Sequence, residues 1–257
     1  MNAKITKPLF IAHRGASYDA PENTLASVNL AWMLDADGVE IDIQLTRDNQ
    51  VVVFHDDNTL RYHGDARLIS KCTYDELLKL DVGSFKNVKY KGEKIPLLSE
   101  VLNTVPANKI LVIELKSGPQ IIPHLQTVIE KSQINFNQII FISFRRDSIK
   151  QIKKMLPDCK ALRIYALKQI PFTGIIFPSL NRLLQDTVSD ELDGMDISFV
   201  PAVSQSFITR ILDAGFILYF WTIDDPEKAI FLSQSGVDGI TTNRPDWLMK
   251  QVASHSK

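Results

Sequence analysis

Polar side chains recur at the ends of, or inside, apolar runs of this 257-residue chain. Ile11-Ala12-His13-Arg14-Gly15 carries a strand-like run into a histidine and an arginine, and Val53-Phe54-His55-Asp56 ends a second run on another histidine. Val39-Glu40-Ile41-Asp42-Ile43 holds two carboxylates, and Ile113-Glu114-Leu115-Lys116 holds a carboxylate and an ammonium. Such groups are costly to desolvate unless paired or metal-bound, so their placement points to chemistry.

Alternate residues of a strand share a face, so Glu40 and Asp42 converge. Two close carboxylates repel unless one is protonated or a cation neutralises them. Alone, the pair reads equally well as polar residues on a half-exposed strand. Glu114, inside another apolar run, supplies a third oxygen and tips the reading toward a metal. A sulfur-free trio of carboxylates suits Mg²⁺, Ca²⁺ or Mn²⁺. A lone histidine at a strand end is ordinarily structural. Two of them beside candidate ligands read as a proton donor and a proton acceptor. Arg14 can grip a phosphate with two donors. Lys116 shares the face of Glu114, as a phosphate-binding cation or as its plain ion-pair partner. Trp221 ends Leu218-Tyr219-Phe220-Trp221 and reads either as core or as an apolar wall for the non-phosphate part of a substrate. His63, His124 and His255 receive no role.

The elements that must position these groups alternate along the chain. Strands are predicted over 9–12, 39–43, 51–54, 110–115, 139–143, 161–166, 194–197, 216–221 and 239–242. Helical patterns lie between them: Leu25, Val28 and Trp32 on one face, a helix opening at Pro119, one capped by Asp147 and one capped by Ser204. Asp225-Pro226 and Arg244-Pro245 place proline at first helical positions. This alternation signals βα units and a mostly parallel sheet. One of the nine strands is too many for an eight-stranded barrel. Strand 51–54 follows its predecessor too closely for a parallel crossover and reads as a hairpin or a bent element at the wall. Residues 57–92 break the alternation and read as an insertion or lid over one rim.

Bulk properties narrow the function further. Apolar residues at 45% support a sizeable core, and a net charge of −1 argues against a strong sequence-independent nucleic-acid binder. The two cysteines, Cys72 and Cys159, form no C-x-x-C pair and read as reduced or buried thiols. Lys4 and Lys7 precede no long apolar stretch, and no run is long enough for a membrane span. The expected location is cytoplasmic. Phosphate-loop, dinucleotide, zincin and nucleophile-elbow motifs are absent.

The order of the motifs resembles the glycerophosphodiester phosphodiesterase family: His13-Arg14-Gly15, Pro21-Glu22-Asn23-Thr24, Glu40-x-Asp42, His55-Asp56, Glu114-x-Lys116, Trp221-Thr222, and Asp238-Gly239-Ile240-Thr241-Thr242-Asn243-Arg244-Pro245. The likeness runs from about residue 9 to 246. It implies one domain over 1–257, a TIM-type (β/α)8 barrel with a small insertion at about 57–92, after the second or third strand. It also implies that His13 and His55 are the acid–base pair and that Glu40, Asp42 and Glu114 bind a divalent cation, Mg²⁺ or Ca²⁺. Arg14 and Lys116 would hold the phosphate, with Trp221 on the alcohol side. The implied activity is hydrolysis of glycerophosphodiesters to glycerol 3-phosphate and an alcohol. The implied partner is that small molecule, with no nucleic acid and no stable membrane insertion.

Two other readings stand beside it. One is lysophospholipase D-type hydrolysis, needing an apolar channel near Trp221, Phe172 and Phe177. The other is a non-catalytic barrel that binds a phosphate ligand. Two departures from the family pattern, Arg61-Tyr62-His63-Gly64 after His55-Asp56 and Asp224 where Asn is usual, are expected to bear on the alcohol side and not on the metal or histidine set. Asn23 and Asn243 are read only as loop or cap residues.

Overall fold

A computed structural model describes residues 7–64 and 66–255; the start of the N-terminal stretch, Asp65 of the predicted turn and the last two residues lie outside the described residues. Eight parallel strands form a closed barrel: β1 (Leu9–His13), β2 (Gly38–Leu45), β4 (Ile110–Leu115), β5 (Ile139–Ser143), β6 (Lys160–Tyr165), β9 (Gly194–Ser198), β10 (Ile217–Trp221) and β11 (Gly239–Thr242). Pairing of β1 with both β11 and β2 closes the ring. The remaining predicted strand, β3 (Val51–Val53), runs antiparallel to β2, with Ile43 opposite Val53 and Leu45 opposite Val51. The hairpin alternative is the correct one. Two short strands absent from the sequence reading, β7 (Lys168–Gln169) and β8 (Ile176–Phe177), make a separate antiparallel hairpin between β6 and the helix that follows.

Helices α1 (Leu25–Met33), α5 (Ile122–Lys131), α6 (Arg146–Met155), α7 (Leu180–Ser189), α8 (Gln205–Asp213), α9 (Pro226–Gln234) and α10 (Pro245–Ser254) accompany the barrel strands. Short helices α2 (Leu60–His63), α3 (Tyr74–Leu77) and α4 (Leu98–Leu102) belong to the long connection between β3 and β4. Ser204 and Asp225 cap α8 and α9 through their side chains. Asp147 does not cap α6: Arg145 occupies that position, and Asp147 lies in the first turn, where its charge faces the helix's positive end. The helix predicted to open at Pro119 begins as a tighter 3₁₀ turn and becomes α-helical at Ile122.

Alternation along the strands sorts side chains into two environments. Ile11, Val112, Ile140, Ile142, Leu162, Ile164 and Tyr219 pack together inside the barrel. Val39, Ile41, Ile43, Leu111 and Ile113 face outward onto the helices. The connection after β3 has its own core of Val52, Phe54, Ile69, Cys72, Leu77, Leu80, Val82 and Ile95. Cys72 is buried there and Cys159 in the main core, so the two thiols occupy separate parts of the fold. Among the described residues no helix is long and apolar enough to cross a membrane.

Candidate active site

The inward-facing positions turn from apolar to charged at the C-terminal ends of β1, β2 and β4, the rim on which barrel enzymes build their sites. Register carries this out: His13 pairs with Glu40, and Asp42 pairs with Glu114. A pocket of about 420 Å³ opens there, and His13, Arg14, Glu40, His55, Glu114, Lys116 and Trp221 all line it. Asp42, only 1% exposed, stands against the same cluster. The eight residues named from the sequence therefore meet in one place. Phe172 and Phe177, expected near Trp221, do not line the pocket; they are exposed on the β7–β8 hairpin.

The turn after β1 sets the geometry. Arg14 has φ 55 and Asn23 φ 56, both left-handed, and each is held by hydrogen bonds. The Arg14 amide donates to Glu40 Oε2 at 2.9 Å, and the Asn23 amide donates to the Arg14 carbonyl at 3.0 Å. Gly15, at φ +79, presses on α1 so closely that a Cβ there would lie 2.5 Å from Ser27 Oγ. Asn23 is more than a cap. Its side chain is buried, donates to Asp42 Oδ2 at 2.9 Å and accepts from the Asp42 amide at 3.1 Å, fixing that carboxylate.

Ligand atoms of Glu40, Asp42 and Glu114 can all lie within 4.8 Å of one another. Arg14 Nε is 3.3 Å from Asp42 Oδ2, and Lys116 Nζ is 3.2 Å from Glu114 and 3.7 Å from Asp42. Burial pushes the Asp42 carboxyl up, but Arg14, His55, Lys116 and the Asn23 hydrogen bond outweigh it and hold it below the usual range. Its two neighbours go the other way. Burial, then Asp42 and Glu114, raise Glu40 well above 4.5; burial and Asp42 push Glu114 up to about 7. Asp42 Oδ1 is buried and accepts no hydrogen bond. Excess carboxylate and an orphaned oxygen, in an all-oxygen set, fit a hard divalent cation.

The histidines are oriented by different partners. His13 Nδ1 donates to Asn243 Oδ1 at 2.8 Å. That amide cannot be turned around, because Asn243 Nδ2 donates to Asp224 Oδ2 at 2.6 Å. Nδ1 of His13 thus carries the proton and Nε2 is left as an acceptor. Burial, then Arg14, lowers the His13 pKa. His55 Nδ1 pairs at 2.9 Å with the Asp56 carboxylate, whose other oxygen is gripped by Arg61 at 2.9 and 2.7 Å. Arg61 also reaches Glu22 at 3.1 Å and lies over the Tyr62 ring. The two family departures therefore do touch the histidine set, each one hydrogen bond removed: Asp224 through Asn243, and Arg61 through Asp56.

Sequence reasoning also passes over Asp196. It sits on β9, is 2% exposed and lines the pocket. Its Oδ1 accepts no hydrogen bond, and burial, with Glu114 nearby, raises its pKa far above the ordinary range. The signal was the one that marks Glu114: a carboxylate inside the apolar run Met195-Asp196-Ile197. Trp221 Nε1 donates to the Asp196 carbonyl at 3.3 Å, and its ring meets Phe144 edge-on at 5.6 Å, forming the apolar wall.

Comparison with known proteins agrees with this geometry. The glycerophosphoryl diester phosphodiesterase family model matches residues 13–247. A glycerophosphodiester phosphodiesterase of Caldanaerobacter subterraneus subsp. tengcongensis is 34% identical, over 96% of this chain and 98% of its own. One from Bacillus altitudinis is also 34% identical, over 93% and 96%. The structure of an Oleispira antarctica phosphodiesterase in complex with the product sn-glycerol-3-phosphate aligns with a TM-score of 0.81 at 29% identity, covering 96% of this chain and 97% of that one. Sequence, fold and the gathering of these residues at one barrel mouth lead to a single assignment: the chain belongs to the glycerophosphoryl diester phosphodiesterase family.

Proposed function

We propose that the protein hydrolyses glycerophosphodiesters to glycerol 3-phosphate and an alcohol, with His13 as base and His55 as acid. The observation that carries this reading is the unequal orientation of two histidines around one carboxylate cluster. His13 is held by a neutral amide and kept neutral by burial and Arg14, which suits a proton acceptor. His55 is oriented by the Asp56 carboxylate through Nδ1, and we assign it the donor role. The Oleispira relative with bound sn-glycerol-3-phosphate supports the product side.

In this mechanism Nε2 of His13 takes the proton from the attacking oxygen as its bond to phosphorus forms. The bond from phosphorus to the departing alcohol breaks, and His55 protonates the alkoxide. Arg14 and Lys116 face the pocket and would neutralise the phosphoryl oxygens. Glu40, Asp42 and Glu114 would hold a divalent cation, Mg²⁺ or Ca²⁺, which when bound supplies further neutralisation of the phosphoryl charge. Trp221 and Phe144 would cover the alcohol side.

The test is a panel of glycerophosphocholine, glycerophosphoethanolamine and lysophosphatidylcholine, assayed for product with and without chelator and with each ion restored. Glycerol 3-phosphate released from the first two, lost with EDTA and regained with Mg²⁺ or Ca²⁺, is expected. Ligand recovered intact in the presence of metal would favour a binding barrel instead.

A further inference from the structure

The β7–β8 hairpin gathers exposed apolar side chains in one short segment. Ile170, Phe172, Ile175 and Phe177 are all exposed, and Phe172, at the turn with φ 62, is fully so. Strand-to-helix connections in such barrels usually run about two to six residues; the one from Tyr165 to Leu180 is far longer and presents apolar side chains to solvent. A contiguous apolar projection of this kind marks an interaction site.

Its base is fixed on the rim of the active site. The Leu167 amide donates to Ser198 Oγ at 2.7 Å, and Ser198 pairs with Trp221, which lines the pocket. The charges around it have one dominant sign. Arg182 flanks one side of the hairpin and Arg210 the other, with Lys168 exposed on β7 itself; Arg163 lies largely buried beneath them. Asp186, on the first side, is already paired with Arg182 and Arg163. No Asp or Glu occurs between Asp158 and Asp186. Apolar side chains with a cationic collar complement a bilayer that carries anionic head groups.

We infer that this hairpin docks the barrel mouth onto an anionic lipid surface, its aromatic and aliphatic side chains entering the head-group region and its cations meeting lipid phosphates. Docking is peripheral and spans nothing. It places the mouth facing the membrane, where deacylated phospholipid head groups would be encountered.

The experiment is sedimentation with vesicles of phosphatidylcholine, with and without phosphatidylglycerol. Binding is read without turnover, so it stands apart from the substrate assignment. The wild-type chain is expected to bind the phosphatidylglycerol vesicles, weakly or not at all the neutral ones, and less as salt rises. The double variant Phe172→Asp, Phe177→Asp should weaken binding roughly tenfold, and Lys168→Glu about fivefold. Both should keep the wild-type Tm and the wild-type kcat/KM on a soluble diester, because neither residue set touches the pocket. Absence of wild-type binding to anionic vesicles, or equal binding by the double variant, would overturn the inference. So would a concentration-dependent wild-type dimer that the double variant abolishes without any vesicle binding, which would assign the hairpin to a second copy of the chain.

Discussion

Two buried charge clusters in this barrel use the same ingredients to opposite effect. At the mouth, Glu40, Asp42 and Glu114 face Arg14 and Lys116. At the outer wall, Asp190, the residue just past the end of α7, accepts two hydrogen bonds of 2.7 Å from Arg146 and lies 3.1 Å from Lys150, both on α6. Burial acts on Asp190 too, but its two cations hold it below its ordinary value. At the mouth, two of three carboxylates are driven up and an oxygen is left over. The loose end of the outer cluster is a cation, Arg163, 3.5 Å from Asp186 and covered by the Tyr165 ring. Buried charge alone is therefore a poor mark of function. Surplus of one sign is the informative feature, because it is relieved only by protonation or by an arriving ligand.

The comparison can be broken most sharply at the histidines. His13→Ala or His55→Ala should lower kcat by roughly 10²–10⁴ while leaving Tm near wild type; steady-state turnover beside a melting curve checks this, and near-normal kcat would remove the residue from the mechanism. Asp190→Ala should do the reverse. It strands two cations, though partly exposed ones, and should cost about 2 kcal/mol of stability with kcat unchanged, read by urea denaturation.

The clusters should also respond to pH with opposite signs. Folding raises Glu114 from 4.5 to about 7, so the folded chain holds a proton the unfolded one releases. The contribution of Glu114 to the stability of cation-free protein is then full below 4.5 and falls as pH climbs toward 7, lowering Tm by something on the order of 5 °C. Glu114→Gln or saturating divalent ion should flatten that slope. Asp190 is depressed, so its contribution is present above 3.8 and lost as pH falls further. A Tm that rises between 4.5 and 7 in chelator would contradict the surplus-charge account. Smallest of all, Asp224→Asn frees the Asn243 amide to turn and should reduce kcat roughly threefold to tenfold, with Asn243→Ala falling at least as far.

Much of this was legible before the fold was known. The barrel strands are compact apolar runs separated by helical periodicity, and a strand's period of two puts Glu40 with Asp42 and Glu114 with Lys116 without any structure. The β7–β8 hairpin was not legible, because two-residue strands carry no period and Pro171 and Pro178 read as loop. Nor were the partners of the histidines. Asp224 and Asn243, or Arg61 and Asp56, meet through turns whose geometry depends on the closed barrel and on the packed insertion. Asn23 grips Asp42 only because its backbone is left-handed, a state no spacing rule announces.

The antiparallel pairing of β3 with β2 has a structural corollary. His13 is fixed to the barrel wall, whereas His55 stands at the threshold of a segment with a core of its own. The two histidines are thus mounted on two separately packed bodies. Under the proposed mechanism, resizing the smaller body would shift His55 while the acidic trio stays untouched.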